Sequence, residues 1–269
     1  MRRNKVNIFI RELKANLKSL LIWSGISVIF IMVGFSKFSA FYENPELLAV
    51  LDGIPPTMMD ALNMNAFNLT TVTGFYGVMM TYFALILSIS AAMWGSEVIT
   101  KEERDRTVEF SLTLPVSRFK LVTAKTAAVL VNCVILLLVT WGGILMNVRQ
   151  YAPDPAFYEF VDVSIRAFFL MQMIFMAIGI LLGCALKYHK QAGSAAVSIL
   201  LATYFASILS GLNPHMDFLK FVSPFKYFDP VLLLHDAGLD PIFILLSLAI
   251  IVVSLAGAYL TYSKRDLYI

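Results

Sequence analysis

Six stretches of this chain run for eighteen residues or more without an Asp, Glu, Lys or Arg: residues 19–36, 74–96, 126–148, 167–186, 191–211 and 241–263. A helix needs ~20 apolar residues to cross the ~30 Å hydrocarbon core of a bilayer. Within each stretch the apolar positions are consecutive. The strands of a membrane barrel would alternate instead. The pattern therefore predicts an all-α integral membrane protein with six transmembrane helices in one domain, residues 1–269. The fourth and fifth stretches are separated only by Lys187-Tyr188-His189-Lys190, which predicts a tight antiparallel hairpin.

Three shorter segments carry their own patterns. In residues 1–18, Val6, Phe9, Ile10, Leu13 and Leu17 recur at helical spacing on one face, while Lys5, Arg11, Glu12, Lys14 and Lys18 lie off it. This predicts an amphipathic interfacial (elbow) helix that lies along the membrane before the chain turns into the first span. Residues 44–65 read as two short helical pieces broken by Gly53-Ile54-Pro55-Pro56. Residues 213–240 place Pro214, Pro224 and Pro230 among Phe218, Phe221, Phe225, Tyr227 and Phe228. That mixture suits outer-loop helices that re-enter the membrane against protein.

Composition agrees with the pattern. The chain is 59% hydrophobic and 14% charged, with a mean hydropathy of +0.76. These values exclude a soluble enzyme, a disordered regulator and a disulfide-stapled domain. Of the 21 lysines and arginines, 16 fall before the first span, between the second and third, in the hairpin or in the tail. Basic residues stay on the cytoplasmic side, so both termini are expected in the cytoplasm and the protein in the plasma membrane.

The spans offer packing signals and little chemistry. Ser194, Ser198, Ala202, Ala206 and Ser210 form a stripe of small residues at i+4 spacing, and Gly179 and Gly183 form a small-xxx-small pair. Such residues let helix backbones approach closely. The stripe is expected either to pack the fourth and fifth spans together or to form a subunit interface. Asn132 and Gln172 are expected to hydrogen-bond between helices, or alternatively to line a path. Mid-span ionisable residues, the usual mark of an ion-driven carrier, do not occur. Metalloprotease, nucleophile-elbow, aspartyl-protease and phosphate-loop signatures do not occur either, so no catalytic residue and no cofactor are assigned to this chain.

The remaining motif is the loop of residues 97–120. A charged run containing Glu97, Glu102, Glu103 and Arg104 leads to Thr107, Glu109 and an apolar piece from Phe110 to Leu114; then come Pro115, Ser117-Arg118 and, further on, Lys125. This order resembles the signature of the ABC-2 type permeases, the membrane subunits of ATP-binding-cassette exporters. That signature has an acidic pair, Gly-Thr, an apolar stretch, Leu-Pro-x-Ser-Arg and a Lys at the start of the next span. Arg106 stands where the family commonly has Gly. Glu12-Leu13-Lys14 before Lys18-Ser19-Leu20-Leu21-Ile22-Trp23 resembles the opening of the branch that holds the copper-site and bacteriocin-type permeases. Residues 221–229 are similar to that branch's last outer loop.

The resemblance implies a permease subunit that pairs with a second permease subunit, as homodimer or heterodimer. Each subunit would seat a cytoplasmic coupling helix, about residues 107–115, on a separate ATPase subunit that binds ATP and magnesium. It implies a bacterial or archaeal source, and the first, second and fifth spans are expected to face the seam. The apolar lining favours amphipathic, antimicrobial or toxin peptides, or lipophilic compounds, as cargo. Nucleic acid is not an expected partner. The competing expectation is a self-sufficient carrier or channel that ATP does not drive.

Overall fold

The computed structural model describes residues 2–42, 44, 55, 59, 67–104, 117–186, 188–236 and 238–264. Among them there is no strand, and six helices are long and apolar enough to cross a membrane. These are α1 (Arg2–Phe41), α2 (Val72–Arg104), α3 (Arg118–Val148), α4 (Pro155–Ala185), α5 (His189–Leu212) and, after the outer loop, α8 (Pro241–Lys264). Each span expected from the hydropathy pattern lies within one of them, save that the fourth runs one residue past the end of α4 to Leu186. The charged turns that flank a span continue it as helix. The backbone polar groups at its ends are satisfied more simply by further helical turns than by a loop.

That tendency corrects the N-terminus. α1 runs without interruption, so the expected interfacial helix over residues 1–18 is the leading part of the first span and is not set off from it by a turn. Residues 17–23, Leu-Lys-Ser-Leu-Leu-Ile-Trp, contain no proline or glycine that would stop helical hydrogen bonding. A helix of 40 residues is ~60 Å long, about twice the hydrocarbon thickness. Its basic leading turns therefore reach beyond the bilayer core. Phe9 and Leu13 are half-buried, and Ile10, Arg11, Lys14 and Leu17 are exposed.

The spans do not share burial equally. Within their most apolar windows, 72% of α4 and 61% of α2 is buried in the protein, against 22% of α1 and α8 and 17% of α5. α2 and α4 form the central pair, α1 lies along α3, and α8 lies along α4. Glycine sets the central distance. A Cβ on Gly95 would meet the Met176 carbonyl oxygen at 2.5 Å, and one on Gly183 would meet that of Ser96 at 2.8 Å. The Gly179/Gly183 pair therefore joins α4 to α2 and not to its hairpin neighbour α5. α5 itself packs more against α2 than against α4.

Hydroxyls and aromatics complete the packing. Ser27 of α1 and Thr140 of α3 are 2.7 Å apart. The Tyr76 hydroxyl of α2 bonds Ser164 of α4. The Trp94 indole donates to Ser19 at 2.9 Å. At the far end of α1, Phe35, Phe38 and Tyr42 cluster with Phe75 and Tyr151.

The outer loop between α5 and α8 is built from a 3-10 segment, Pro214–Phe221, then α6 (Pro224–Tyr227) and α7 (Pro230–Asp236). Each begins at a proline, whose fixed φ and missing N–H suit a first helical position. Asp229 caps α7, accepting from the Val231 N–H at 2.9 Å, and binds the Lys226 ammonium at 2.5 Å. The two helical pieces expected over residues 44–65 lie almost wholly outside the described residues.

Candidate functional site

One end of the bundle gathers the start of α1, the end of α2, the start of α3 and the end of α8. Its centre is Glu12. This carboxylate is 3% exposed although it stands among the basic leading turns of α1. Its Oε1 lies 3.6 Å from the ammonium of Lys125 on α3, and its Oε2 lies 3.8 Å from that of Lys101 on α2. Arg11 approaches Oε1 from the open side at 3.6 Å. Lys125 is fully buried and also donates to the Val98 carbonyl at 2.6 Å. One carboxylate thus holds two lysines from two different helices. In so buried a site, removing one partner of the Glu12–Lys125 pair leaves the other charge poorly compensated, at a cost of ~3–5 kcal/mol.

The loop of residues 105–116 joins the two helices that carry these lysines. α3 starts beyond it at a Ser117 cap that accepts from the Lys120 N–H. Arg118 donates to the Tyr262 and Ser263 carbonyls at 3.1 and 3.3 Å, neutralising the carbonyl end of α8. That contact gives Arg118 a structural role besides any at a partner surface. Glu97 is exposed. Glu102, Glu103 and Arg104 belong to the last turn of α2, but their side chains lie outside the described residues. Thr107, Glu109, Phe110, Leu114 and Pro115 lie outside them altogether.

The second grouping is on α5 and the outer loop. Ser194, Ser198 and Ala202 are exposed, Ala206 is half-buried and Ser210 is buried. The face of α5 that packs inward is Ala192, Ala196 and Leu200. Ser194, Ser198 and Ala202 therefore lie off that packed face, and only the outer end of the stripe is covered. A pocket opens beside its outer end, lined by Thr81 and Tyr82 of α2, Tyr204 and Ser207 of α5, and Lys226 and Asp229 of the outer loop. Ser223 fixes that loop to α5 by donating to the Thr203 carbonyl at 2.6 Å. Tyr227 stacks on Phe243 and donates to the Phe221 carbonyl, and burial pushes its phenol above the usual range.

Asn132 and Gln172 are both buried, but they do not form the expected interhelical bridges. The Asn132 amide nitrogen and both amide atoms of Gln172 find no hydrogen-bond partner among the described residues. An interhelical bond needs matching height on two helices as well as a polar residue on each. Among the described residues, pairs that meet this condition are Ser27–Thr140, Tyr76–Ser164, Ser19–Trp94 and Thr123–Tyr259. No group of three metal-ligating side chains occurs among the described residues.

The family model described as ABC-2 family transporter protein matches residues 6–267, almost the whole chain. The chain belongs to the ABC-2 transporter family. No curated protein matches it. The match covers all six spans, the 97–120 loop and the outer loop, so this ABC-2 protein is a multi-pass membrane component of an ABC exporter and carries no catalytic activity of its own. Sequence reasoning missed Glu12 as a site residue. Its signal was a lone acid among the basic leading turns of α1, which amphipathicity alone assigned to the solvated face.

Proposed function

We propose that this ABC-2 permease couples through residues 105–116 to a separate ATPase, which binds ATP and magnesium, and forms its translocation path with a second permease subunit. What supports the coupling is that this segment connects two helices whose lysines converge on Glu12, so a push on the loop reaches three spans at once. What supports the pairing is the exposure of Ser194, Ser198 and Ala202, a small-residue surface that no helix among the described residues covers. The pocket between α2, α5 and the outer loop opens beside that surface and sets hydroxyls and the Lys226–Asp229 ion pair among apolar side chains. Such a lining suits an amphipathic peptide or a lipophilic compound. The outer loop, with Phe225, Tyr227 and Phe228 buried, re-enters the outer leaflet, and both termini lie in the cytoplasm of a bacterial or archaeal cell.

The test is the pair Phe110→Ala with Leu114→Ala. Burying both side chains in a partner groove is worth ~3–6 kcal/mol, so the doubly substituted protein is expected to insert in the membrane yet lose co-purification with the ATPase. Retention of the ATPase at wild-type yield and hydrolysis rate overturns the reading.

A further inference from the structure

We infer that Glu12 is a positioning residue for transmission: it locks α1 to the two helices that flank the 105–116 loop, so that movement imposed on the loop is passed to α1. The inference rests on reading that loop as the ATPase contact.

The geometry is specific. Lys101 lies three residues before the end of α2 at Arg104, and Lys125 lies seven residues after the start of α3 at Arg118. The two sides of the loop are thus tied, one to each oxygen of the same carboxylate. α1 touches α2 at few positions and lies mainly along α3. The polar links between α1 and α2 fall in register. Glu12 meets Lys101, and Ser19 meets Trp94. Each step is seven residues, or two helical turns, taken in opposite directions along antiparallel helices. The links form a two-rung ladder on one ridge of each helix. It connects α1 to the part of α2 nearest the loop.

The chemistry explains why charge is used here. An apolar cluster would pack three helix ends more cheaply, but it would let them slide. A carboxylate with a separate lysine on each oxygen resists separation in two directions. With Glu12 and Lys125 almost completely buried, a lost partner leaves a poorly solvated charge.

The test follows movement at both sides of the lock. The full chain is purified with its ATPase in lipid. The buried Cys133 and Cys184 are replaced, and single cysteines are placed at Glu97 on α2 and at Lys14 or Ser36 on α1, all exposed positions. Maleimide reaction rates are read with and without ATP plus vanadate. In the wild-type background both helices are expected to change rate with nucleotide. With Glu12→Gln the change persists at position 97 and is lost at 14 and 36, and Glu12→Asp, which keeps the carboxylate, restores it. An unaltered response at 14 and 36 in Glu12→Gln overturns the inference. So does loss of the response at 97 as well, which marks general damage and a merely structural role. If the ATPase is bound and active but position 97 never responds even with Glu12 intact, the reading of the loop itself fails, and the inference falls with it.

Discussion

Gly179 of α4 sits so close to Ala92 of α2 that a Cβ placed on it would lie 2.5 Å from the Ala92 carbonyl oxygen. The atom in the way is backbone, so no side-chain rotation relieves the clash. Gly179→Val is therefore expected to push the central pair apart and destabilise the protein by ~1–3 kcal/mol or more. Gly142 on α3, where a Cβ meets nothing within 4 Å, is the matched control. Melting of the detergent-purified protein, followed by size exclusion, is expected to shift down for Gly179→Val and little for Gly142→Val. Equal shifts would show that the α2–α4 contact is looser than described.

Asp229 has two duties, capping α7 through the Val231 N–H and pairing with Lys226. Asp229→Ala removes both. Loss of the cap alone costs ~1 kcal/mol, and the partly buried Lys226 loses its counter-charge in addition. Asp229→Asn keeps an N-cap acceptor, so it is expected to recover part of the stability. If alanine and asparagine melt alike, the cap contributes little and the ion pair dominates.

Orientation is checked by labelling. Asp217 and Lys120 are both exposed and lie at opposite ends of the bundle. In whole cells an impermeant thiol reagent is expected to modify a cysteine at 217 and to reach one at 120 only after the membrane is opened. The reverse pattern overturns the cytoplasmic placement of the termini. Asp229 is a poor reporter for the same purpose. It is 5% exposed, and a cysteine there would stay unlabelled whichever way the protein faces.

The number and placement of the spans were legible because hydropathy acts over twenty residues at a time and tolerates local detail. The proline-led outer helices were legible for a different reason: they are local, each set by its own leading proline. What the sequence did not reveal depends on height and azimuth between helices distant in the chain. Gly179 and Gly183 announced a close contact but not that α2 would supply it. Gln172 promised a polar bridge, yet Tyr76 and Ser164 make one instead. Glu12 looked like one more charge on a wet face. Only the meeting of α1, α2 and α3 turned it inward, where Lys101 and Lys125 wait.

The small-residue stripe of α5 gives the last prediction. Ala202 is exposed on the protein surface, as is Leu248 on α8. Without a partner subunit the two positions are equivalent: a phenylalanine at either would simply face lipid, and neither change would matter. With a partner seated on α5, backbone approach at Ser194, Ser198 and Ala202 depends on the absence of bulk, since lipid supplies no hydrophobic drive and close packing carries the association. Ala202→Phe is then expected to weaken pairing and block transport, while Leu248→Phe leaves both intact. Pairing is read by disulfide crosslinking of single cysteines at 194, 198 and 202 in native membranes, with and without a non-hydrolysable ATP analogue. Crosslinks between subunits that change with nucleotide are expected of a seam that opens and closes. If none forms in either state, and Ala202→Phe behaves like Leu248→Phe, the stripe faces lipid and the seam must lie on another surface, such as the exposed apolar face of α1.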